Sequence, residues 1–476
     1  MPPYRRALAA LAAAAAIVLP GAPTLPSPPP PPPAPATAGV QETELRIPTS
    51  DGLVLPATLR VPTAARPGLP GVVLVHGAGP GPREKYRAEA EALTRAGVAT
   101  LTYDKRTQGY SLLQRSYSRL AEDTVAAAAE LRRRPEVNPA QVGVMGFSEG
   151  GWVAPLAASR SPEIAFLVVV GANGVAPLRQ QSWADTIKIE HAGVRGSLVD
   201  AHARTPYRLI TGMGMFPEPY YDPGPPLRSS TLPVLGIWGA QDRLTPPVES
   251  VQEYRTALDQ AGNRHYTLRT VEGAEHSLRT TTTGFDKGGQ FAPGYVDLVS
   301  SWIVDVADGR PPPTSVAGTG EQTRPTVEVA PLAWYESVGV QLSVVALMLA
   351  GFAGFGLTAG WRRLRGRPGP RAAWPARVLA GAGLTAVVGM FGYLGFLQVT
   401  AGRTVDPGPL LAGRPVAWLA LQLLAVVAVG AGIATGVVVA KRRRAGIGGD
   451  RARLGVLLAA GAAFVPWAAY WGLLLP

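Results

Sequence analysis

The chain contains no cysteine. Disulfides, thiolate metal sites, a cysteine nucleophile and lipid attachment through a thiol are therefore excluded. Either redox compartment stays open, so location must be read from targeting signals. Histidine is scarce. Its five residues (76, 191, 202, 265 and 276) are scattered singly, and none has metal-ligand spacing such as H-E-x-x-H. Acidic residues nearly vanish from the C-terminal third. Residues 331–476 hold 14 basic and 3 acidic side chains, whereas residues 41–330 hold 29 and 30. The formal charge of +12 thus belongs mainly to the C-terminal third. It reads as the charged flanks of membrane segments and excludes a nucleic-acid surface on a folded domain.

What the chain has in quantity is glycine and proline, 56 and 47 of its 476 residues. The length suits one large domain plus additional segments. Arg5-Arg6 precede an apolar run from Ala7 to Leu19, followed by Pro20-Gly21-Ala22. Residues 1–22 read as a secretory signal cleaved near Ala22, or as an uncleaved anchor. Residues 23–40 are dominated by Pro, Ala and Thr and form a stiff polyproline spacer with no side chains for a core.

Residues 41–308 alternate strand and helix patterns. Glu42–Pro48 and Leu53–Val61 flank the turn Thr49-Ser50-Asp51-Gly52 as a hairpin. Strands are expected at Gly71–Val75, Val98–Tyr103, Val142–Phe147, Ile164–Val170, Val234–Trp238 and Tyr266–Val271. Helices are expected at Arg83–Ala96, Arg119–Arg134, Pro247–Ala261 and Gly294–Asp305. This alternation predicts an α/β fold with a mainly parallel sheet covered on both faces. Residues 175–230 break the rhythm and read as a cap inserted over the sheet's carboxyl edge.

Residues 309–336 read as a linker, and residues 337–476 as four transmembrane helices. The apolar stretches, about Val338–Gly360, Val378–Thr400, Val416–Ala440 and Leu454–Leu475, are long enough to span hydrocarbon. The first interhelix loop (Arg362, Arg363, Arg365, Arg367, Arg371, Arg377) and the third (Lys441, Arg442, Arg443, Arg444, Arg451, Arg453) are strongly basic. The second has only Arg403 and Arg414. The positive-inside rule puts the first and third in the cytoplasm and the preceding domain outside, at a cell membrane. The spans carry no Asp, Glu, Lys, Arg or His, which points to an anchor or a partner-binding module, the partner unknown, and away from transport. Gly356/Gly360 and Gly432/Gly436 have GxxxG spacing suited to close helix packing.

The chemistry centres on Gly146-Phe147-Ser148-Glu149-Gly150-Gly151, between an apolar strand and an apolar helix pattern. Gly-x-Ser-x-Gly in that setting is a nucleophile elbow. It exposes Ser148 at a strand's carboxyl end and aims the backbone N–H of Glu149 at a developing oxyanion. Three later or earlier loops supply the remaining parts. Asp242 follows the strand Val234–Trp238 in Gly239-Ala240-Gln241-Asp242. His276 follows another strand in Gly273-Ala274-Glu275-His276, where Glu275 is the reserve acid. Val75-His76-Gly77-Ala78-Gly79 ends an earlier strand and offers the backbone N–H of Ala78 as second oxyanion donor. His76 is read as shaping that loop. Asp104 and Arg106 are read as an ion pair near the site mouth, and Tyr103 and Trp152 as packing residues. The Glu149 side chain is assigned to neither solvent nor substrate.

On the strings HGAGPG, LTYDKRTQGYS, VGVMGFSEGG, GAQDRLTPP and GAEH, residues 41–308 resemble the α/β-hydrolase superfamily. They look closest to serine esterases related to dienelactone hydrolases and to the catalytic domains of prolyl-oligopeptidase-type peptidases. Thr107 departs from the glycine common after the Tyr-Asp-x-Arg string, and the cap matches nothing recognisable. The resemblance implies Ser148 as nucleophile, His276 as general base and acid, Asp242 as its orienting partner, and neither metal nor organic cofactor. The expected function is hydrolysis of a small-molecule or lipid-like carboxylic ester through an acyl-enzyme. The alternatives are a peptidase of the same fold, an envelope acyltransferase, and a non-catalytic membrane scaffold.

Overall fold

The computed structural model describes residues 39–476 except 64–66, 112, 367–373, 401–403 and 445–450. The expected signal or anchor and nearly all of the spacer lie outside the described residues, as do Arg367, Arg371 and Arg403. Nine strands form one sheet: β1 (Val40–Pro48), β2 (Val54–Pro62), β3 (Leu69–Val75), β4 (Ala99–Tyr103), β5 (Val137–Phe147), β6 (Leu167–Val170), β7 (Val234–Gly239), β8 (Tyr266–Val271) and β9 (Ser315–Ala317). Their spatial order is β1-β2-β4-β3-β5-β6-β7-β8-β9. The hairpin β1–β2 is antiparallel, as is β2 against β4, and every later neighbour is parallel. Strands β4, β6 and β7 are buried along their whole length. This is why β6 and β7 read as unbroken apolar runs rather than alternating ones, while β4 buries Thr100 and Thr102 as well.

Helices α1 (Arg87–Arg95), α2 (Tyr117–Arg132), α3 (Gly150–Arg160), α8 (Pro247–Gln260) and α9 (Tyr295–Ala307) belong to this αβ body, and four further helices are inserted between β6 and β7. Sequence signals set several boundaries. Ser116 caps α2 by accepting from the Arg119 N–H, and Pro247 occupies the first position of α8, where its missing N–H costs nothing. Alternate residues of each strand feed two cores. Val73, Val144 and Val169 pack beneath α2 and α3, while Val72, Met145 and Val168 pack with α9 on the other face.

The cap comprises α4 (Pro177–His191), α5 (Ser197–Ala203), α6 (Thr205–Gly212) and α7 (Gly224–Arg228). It leaves the sheet at the carboxyl end of β6 and returns at β7. The segment read as a linker is not free of the domain. Ser315, Val316 and Ala317 pair with Thr267, Leu268 and Arg269 as β9, and the Glu321 N–H donates to the Ala240 carbonyl at 2.7 Å. Further on, the Thr326 N–H donates to Glu249 of α8 at 2.7 Å, and the Trp183 indole of α4 donates to the Arg324 carbonyl at 3.1 Å. Residues 314–328 therefore strap the cap to the sheet's edge.

Four helices follow: α10 (Val338–Leu364), α11 (Trp374–Thr400), α12 (Val416–Arg444) and α13 (Arg451–Tyr470). Each is long and apolar enough to cross a membrane, which marks a membrane protein. Of the glycines with GxxxG spacing, only Gly432 lies near another helix among the described residues, with Leu379 3.8 Å from a Cβ built on it. Nothing among the described residues stands within 4 Å of a Cβ built on Gly356, Gly360 or Gly436. Close approach occurs instead at Gly351 against Ala460 and at Gly383 against the Phe352 ring. The cap rests on one end of this bundle. Ile189, Val194, Leu198 and Ala201 share a buried core with residues of the four helices. Ser197 at the start of α5 donates to the Gly472 carbonyl at 2.7 Å, and the Arg195 N–H donates to the Gly413 carbonyl at 2.8 Å.

Candidate active site

Strand β5 ends in the elbow. Ser148 has φ of 54°, a left-handed conformation that a side chain adopts at a cost of about 1–3 kcal/mol. Packing holds it there. A Cβ on Gly146 would overlap the Gly150 carbonyl, and one on Gly150 would stand 2.5 Å from the Val75 carbonyl. The strand, the helix α3 and the neighbouring β3 loop can approach this closely only because both positions are glycine. The Ser148 N–H donates to the Val170 carbonyl at 2.9 Å, which locks the turn to β6.

Asp242 leaves the end of β7 fully buried. Its Oδ1 accepts from the Leu244 and Thr245 N–H groups, each at 2.8 Å, and the Thr245 hydroxyl donates to Oδ2. The same Oδ2 lies 2.7 Å from Nδ1 of His276, at the end of β8. Burial works against a charged His276, but the Asp242 carboxylate and its hydrogen bond outweigh it, and the imidazole pKa is raised. Glu275, the reserve acid, is turned away. Its carboxylate accepts from the Ser277 and Arg279 N–H groups of its own loop. His276 packs against Gly171, one residue beyond the Val170 carbonyl that holds Ser148. A Cβ at Gly171 would stand 3.0 Å from His276 Nδ1 and Cε1, and Gly171 follows Val170, to which Ser148 is bonded. No Ser148–His276 hydrogen bond is formed among the described residues. Such bonds commonly tighten only when substrate arrives.

The expected oxyanion donors sit in a braced loop. The Gly77 N–H donates to Tyr86 Oη at 3.1 Å and the Gly79 N–H to Tyr110 Oη at 3.0 Å. Ala78 and Glu149, the two positions singled out, have no acceptor for their N–H groups among the described residues. His76 is buried, its Nε2 is 2.5 Å from the Tyr103 carbonyl, and burial pushes its pKa down to about 4. It is a neutral structural residue of that loop.

Sequence reasoning missed what lies beneath. The Glu149 side chain is buried, and its Oε1 accepts from Lys105 Nζ at 2.5 Å and Tyr110 Oη at 2.9 Å. Arg115 reaches its Oε2 at 2.7 Å. Lys105 also donates to the Gly77 carbonyl at 2.8 Å. One ammonium thus joins the two chain segments that carry the expected oxyanion donors. The available signal was a lysine placed two residues after a wholly buried strand. The expected Asp104–Arg106 pair does not form. Asp104 accepts from Arg83, while Arg106 binds Asp123 through two bonds of 2.6 Å and also Asp51. Asp123 of α2 lies buried beneath Arg106 and claims it. Tyr103 and Trp152 are both buried. No group of three or more metal-ligating side chains is placed to hold an ion among the described residues.

Residues 111–291 match the profile of the prolyl oligopeptidase family. No curated protein matches the chain. Solved structures that resemble it include a putative dienelactone hydrolase from Klebsiella pneumoniae, at 17% identity and a TM-score of 0.41, covering 56% of this chain and 99% of that one. An esterase from Pyrobaculum calidifontis shows 17% identity and a TM-score of 0.40, covering 57% and 87%. A puromycin-hydrolyzing peptidase from Mycobacterium tuberculosis shows 20% identity and 0.40, covering 59% of this chain and 40% of that one. Strand order, the strained serine after β5 and the family match together make the αβ body an α/β-hydrolase domain of the serine-hydrolase kind, carried by a chain with four membrane-type helices.

Proposed function

We propose that this protein is a membrane-tethered serine hydrolase that cleaves carboxylic esters on the extracytoplasmic side. The observation that carries the reading is the 2.7 Å Asp242–His276 bond beside a serine held at φ 54°. With Nδ1–H donated to Asp242, His276 Nε2 is the nitrogen left to take the Ser148 proton. The alkoxide attacks the ester carbonyl, and the N–H groups of Ala78 and Glu149 receive the oxyanion. His276 returns the proton to the leaving alcohol. Water, deprotonated by the same imidazole, then releases the acid from the acyl-enzyme. Asp242 stays ionised and steadies the imidazolium formed in both halves.

Tethering and sidedness rest on the bundle. The cap-side ends of α10 to α13 carry few charges, whereas Arg362, Arg363, Arg365, Lys441, Arg451 and Arg453 lie at the opposite ends. The positive-inside rule assigns those ends to the cytoplasm. A peptidase reading is favoured by the family match over residues 111–291. The full chain in detergent, treated with a fluorophosphonate probe and assayed on p-nitrophenyl acetate and butyrate beside aminoacyl-arylamides, separates the readings. Ester turnover lost in Ser148→Ala supports the proposal. Arylamide turnover without ester turnover replaces it with the peptidase. Equal ester turnover in wild type and Ser148→Ala refutes it.

A further inference from the structure

The cap has a surface that neither the catalytic site nor the bundle uses. Beyond α6, Met213 and Met215 are 48% and 41% exposed, and Tyr220 is 46% exposed. Two aromatic residues just before α10 are more exposed still, Trp334 at 82% and Tyr335 at 59%. Large apolar side chains grouped in this way on a folded domain call for an occupant.

These residues belong to one surface. A Cβ on Gly212, at the end of α6, would meet Leu332 and stand 3.3 Å from Val338, the first residue of α10. Arg208 of α6 binds Glu336 through two bonds of 2.7 Å and also donates to the Ala330 and Pro331 carbonyls. Tyr220 lies within charge reach of the same guanidinium. The tip of α6 is thereby fixed beside the point where the chain enters its first span.

The position of that point is constrained by length. Helix α10 has 27 residues, about 40 Å at 1.5 Å per residue, against a hydrocarbon core of about 30 Å. Its far end carries Arg362 and Arg363, which must stay in the headgroup layer or beyond. Its near end, preceded by Trp334 and Tyr335, falls at the opposite boundary, where such rings concentrate. Charge is layered accordingly. Behind the apolar tip a cavity of about 290 Å³ is lined by Asp200, Arg204, Arg208 and Glu328, both signs together, as a headgroup layer accommodates.

We propose that the α6 tip (Met213, Met215), Tyr220, Trp334 and Tyr335 form a single surface immersed in the lipid leaflet on the hydrolase side, through which the site receives an acyl ester from the bilayer. The occupant is lipid, because the surface is continuous with the start of a span. The chain also connects the surface to the chemistry. Tyr221, next to Tyr220, packs edge-on to Tyr117 and donates to the carbonyl of Trp152, one turn into the helix that begins at the elbow. The immersion stands without the ester reading, whereas the delivery of substrate rests on it.

The absence of cysteine makes the test clean, since one introduced thiol is the only one in the full chain. Met213→Cys and Met215→Cys are labelled with an environment-sensitive dye in proteoliposomes containing doxyl-labelled phosphatidylcholine. Glu163→Cys, exposed ahead of β6 at the opposite end of the sheet, is the control. Blue-shifted emission quenched by doxyl lipid at 213 and 215, but not at 163, is the expected result. Aqueous emission without lipid quenching at 213 and 215 overturns the surface. For delivery, Met213→Asp/Met215→Asp is compared with wild type on a long-chain ester held in vesicles and on soluble p-nitrophenyl acetate. Loss of roughly 10-fold or more in kcat/KM on the vesicle ester, with acetate unchanged, is expected for a weakened interfacial contact. Equal change on both esters overturns delivery. A wild type inactive on both sinks the ester reading, and the quenching data alone then decide the surface.

Discussion

Lys105→Met should damage catalysis without touching any atom of the reaction. Lys105 and Glu149 approach to 2.5 Å with side chains only 4% and 1% exposed. Removing the ammonium strips Glu149 of one of two cations and leaves the Gly77 carbonyl without its donor. Breaking a buried pair outright costs about 3–5 kcal/mol; with Arg115 still in place, about 2–3 kcal/mol is expected. Losing one oxyanion donor outright costs about 10²–10³-fold in kcat, so a small shift that lengthens both hydrogen bonds without breaking either should cost roughly 10- to 100-fold. KM should change less than kcat, because Lys105 and Glu149 are buried and out of direct reach of a substrate. A pH series adds a readout that simple destabilisation would not give. Burial pushes the Lys105 pKa from 10.5 down to about 8. Above pH 8 the ammonium deprotonates, the bridge weakens, and kcat of the wild type should fall. Over the same range, up to 10.5, the unfolded chain binds more protons than the folded one, so this group's contribution to stability rises with pH. Activity and stability should therefore diverge above pH 8. In Lys105→Arg, which keeps its charge, the alkaline fall should disappear. Steady-state kinetics and thermal unfolding of the full chain in detergent measure both. A Lys105→Met enzyme with kcat within about twofold of wild type and the same alkaline limb would refute the bracing role, since a tenfold loss is the least expected for a disturbed oxyanion site.

Three further outcomes follow from the same geometry. Asp242→Asn should lower kcat on the order of 10⁴-fold, as loss of the orienting carboxylate does in such triads. Because Asp242 holds the His276 pKa up, the acid limb of the rate profile should move to lower pH in any residual activity. Gly171→Ala should act on His276 directly. Gly171 has φ of 55°, and the new methyl would sit 2.8 Å from the His276 carbonyl and 3.0 Å from its ring. A fall in kcat with fluorophosphonate labelling slowed in step is expected. Glu249→Ala should loosen the strap at residues 314–328. Its carboxylate accepts from the Thr326 N–H at 2.7 Å, Gln322 at 3.0 Å, Arg179 at 3.2 Å and the Thr326 hydroxyl. About 2 kcal/mol of stability should be lost, read as earlier unfolding and faster proteolysis near residue 320.

The parts of this molecule that were legible share a property: their sequence answers to one environment. Val234–Gly239 is buried on every side, so its composition states its structure without reference to anything else. The elbow is legible because Gly146 and Gly150 are each forced by backbone contact. Asp242 and His276 stood out because each follows a strand on a short loop, and the structure brings the two within hydrogen-bond distance. What stayed hidden depends on pairing at a distance. Asp123 lies 17 residues from Arg106 and takes it from Asp104. Glu149 lies 44 residues from Lys105. A charged residue shows its sign in sequence but not its burial, so a solvated carboxylate and a clamped one look alike. The strap at 314–328 was hidden for a related reason. Its glycine, proline and threonine provide few apolar side chains, and it is held by backbone groups and by Glu249.

The cap resisted reading because it serves two cores at once. Helix α4 gives Trp183, Ala184 and Ile187 to a small cluster beside the strap, while Ile189, two residues on, belongs to the core shared with the bundle. Apolar residues therefore fall on more than one face, and the single stripe that marks a surface helix is absent. Helix α5 divides similarly, with Leu198 and Ala201 buried against the bundle and Asp200 turned to Arg204. Each fully buried Leu or Ile contributes about 1.5–3 kcal/mol, so Ile189 and Leu198 alone hold the cap to the bundle by several kcal/mol. A cap bonded this firmly to the spans is not a lid free to swing. The methionines beyond α6 nonetheless stay exposed among the described residues, on the edge of the cap that faces the start of α10. The same two-sided sequence that hides the cap from periodicity thus fixes where its open edge lies, beside the start of α10.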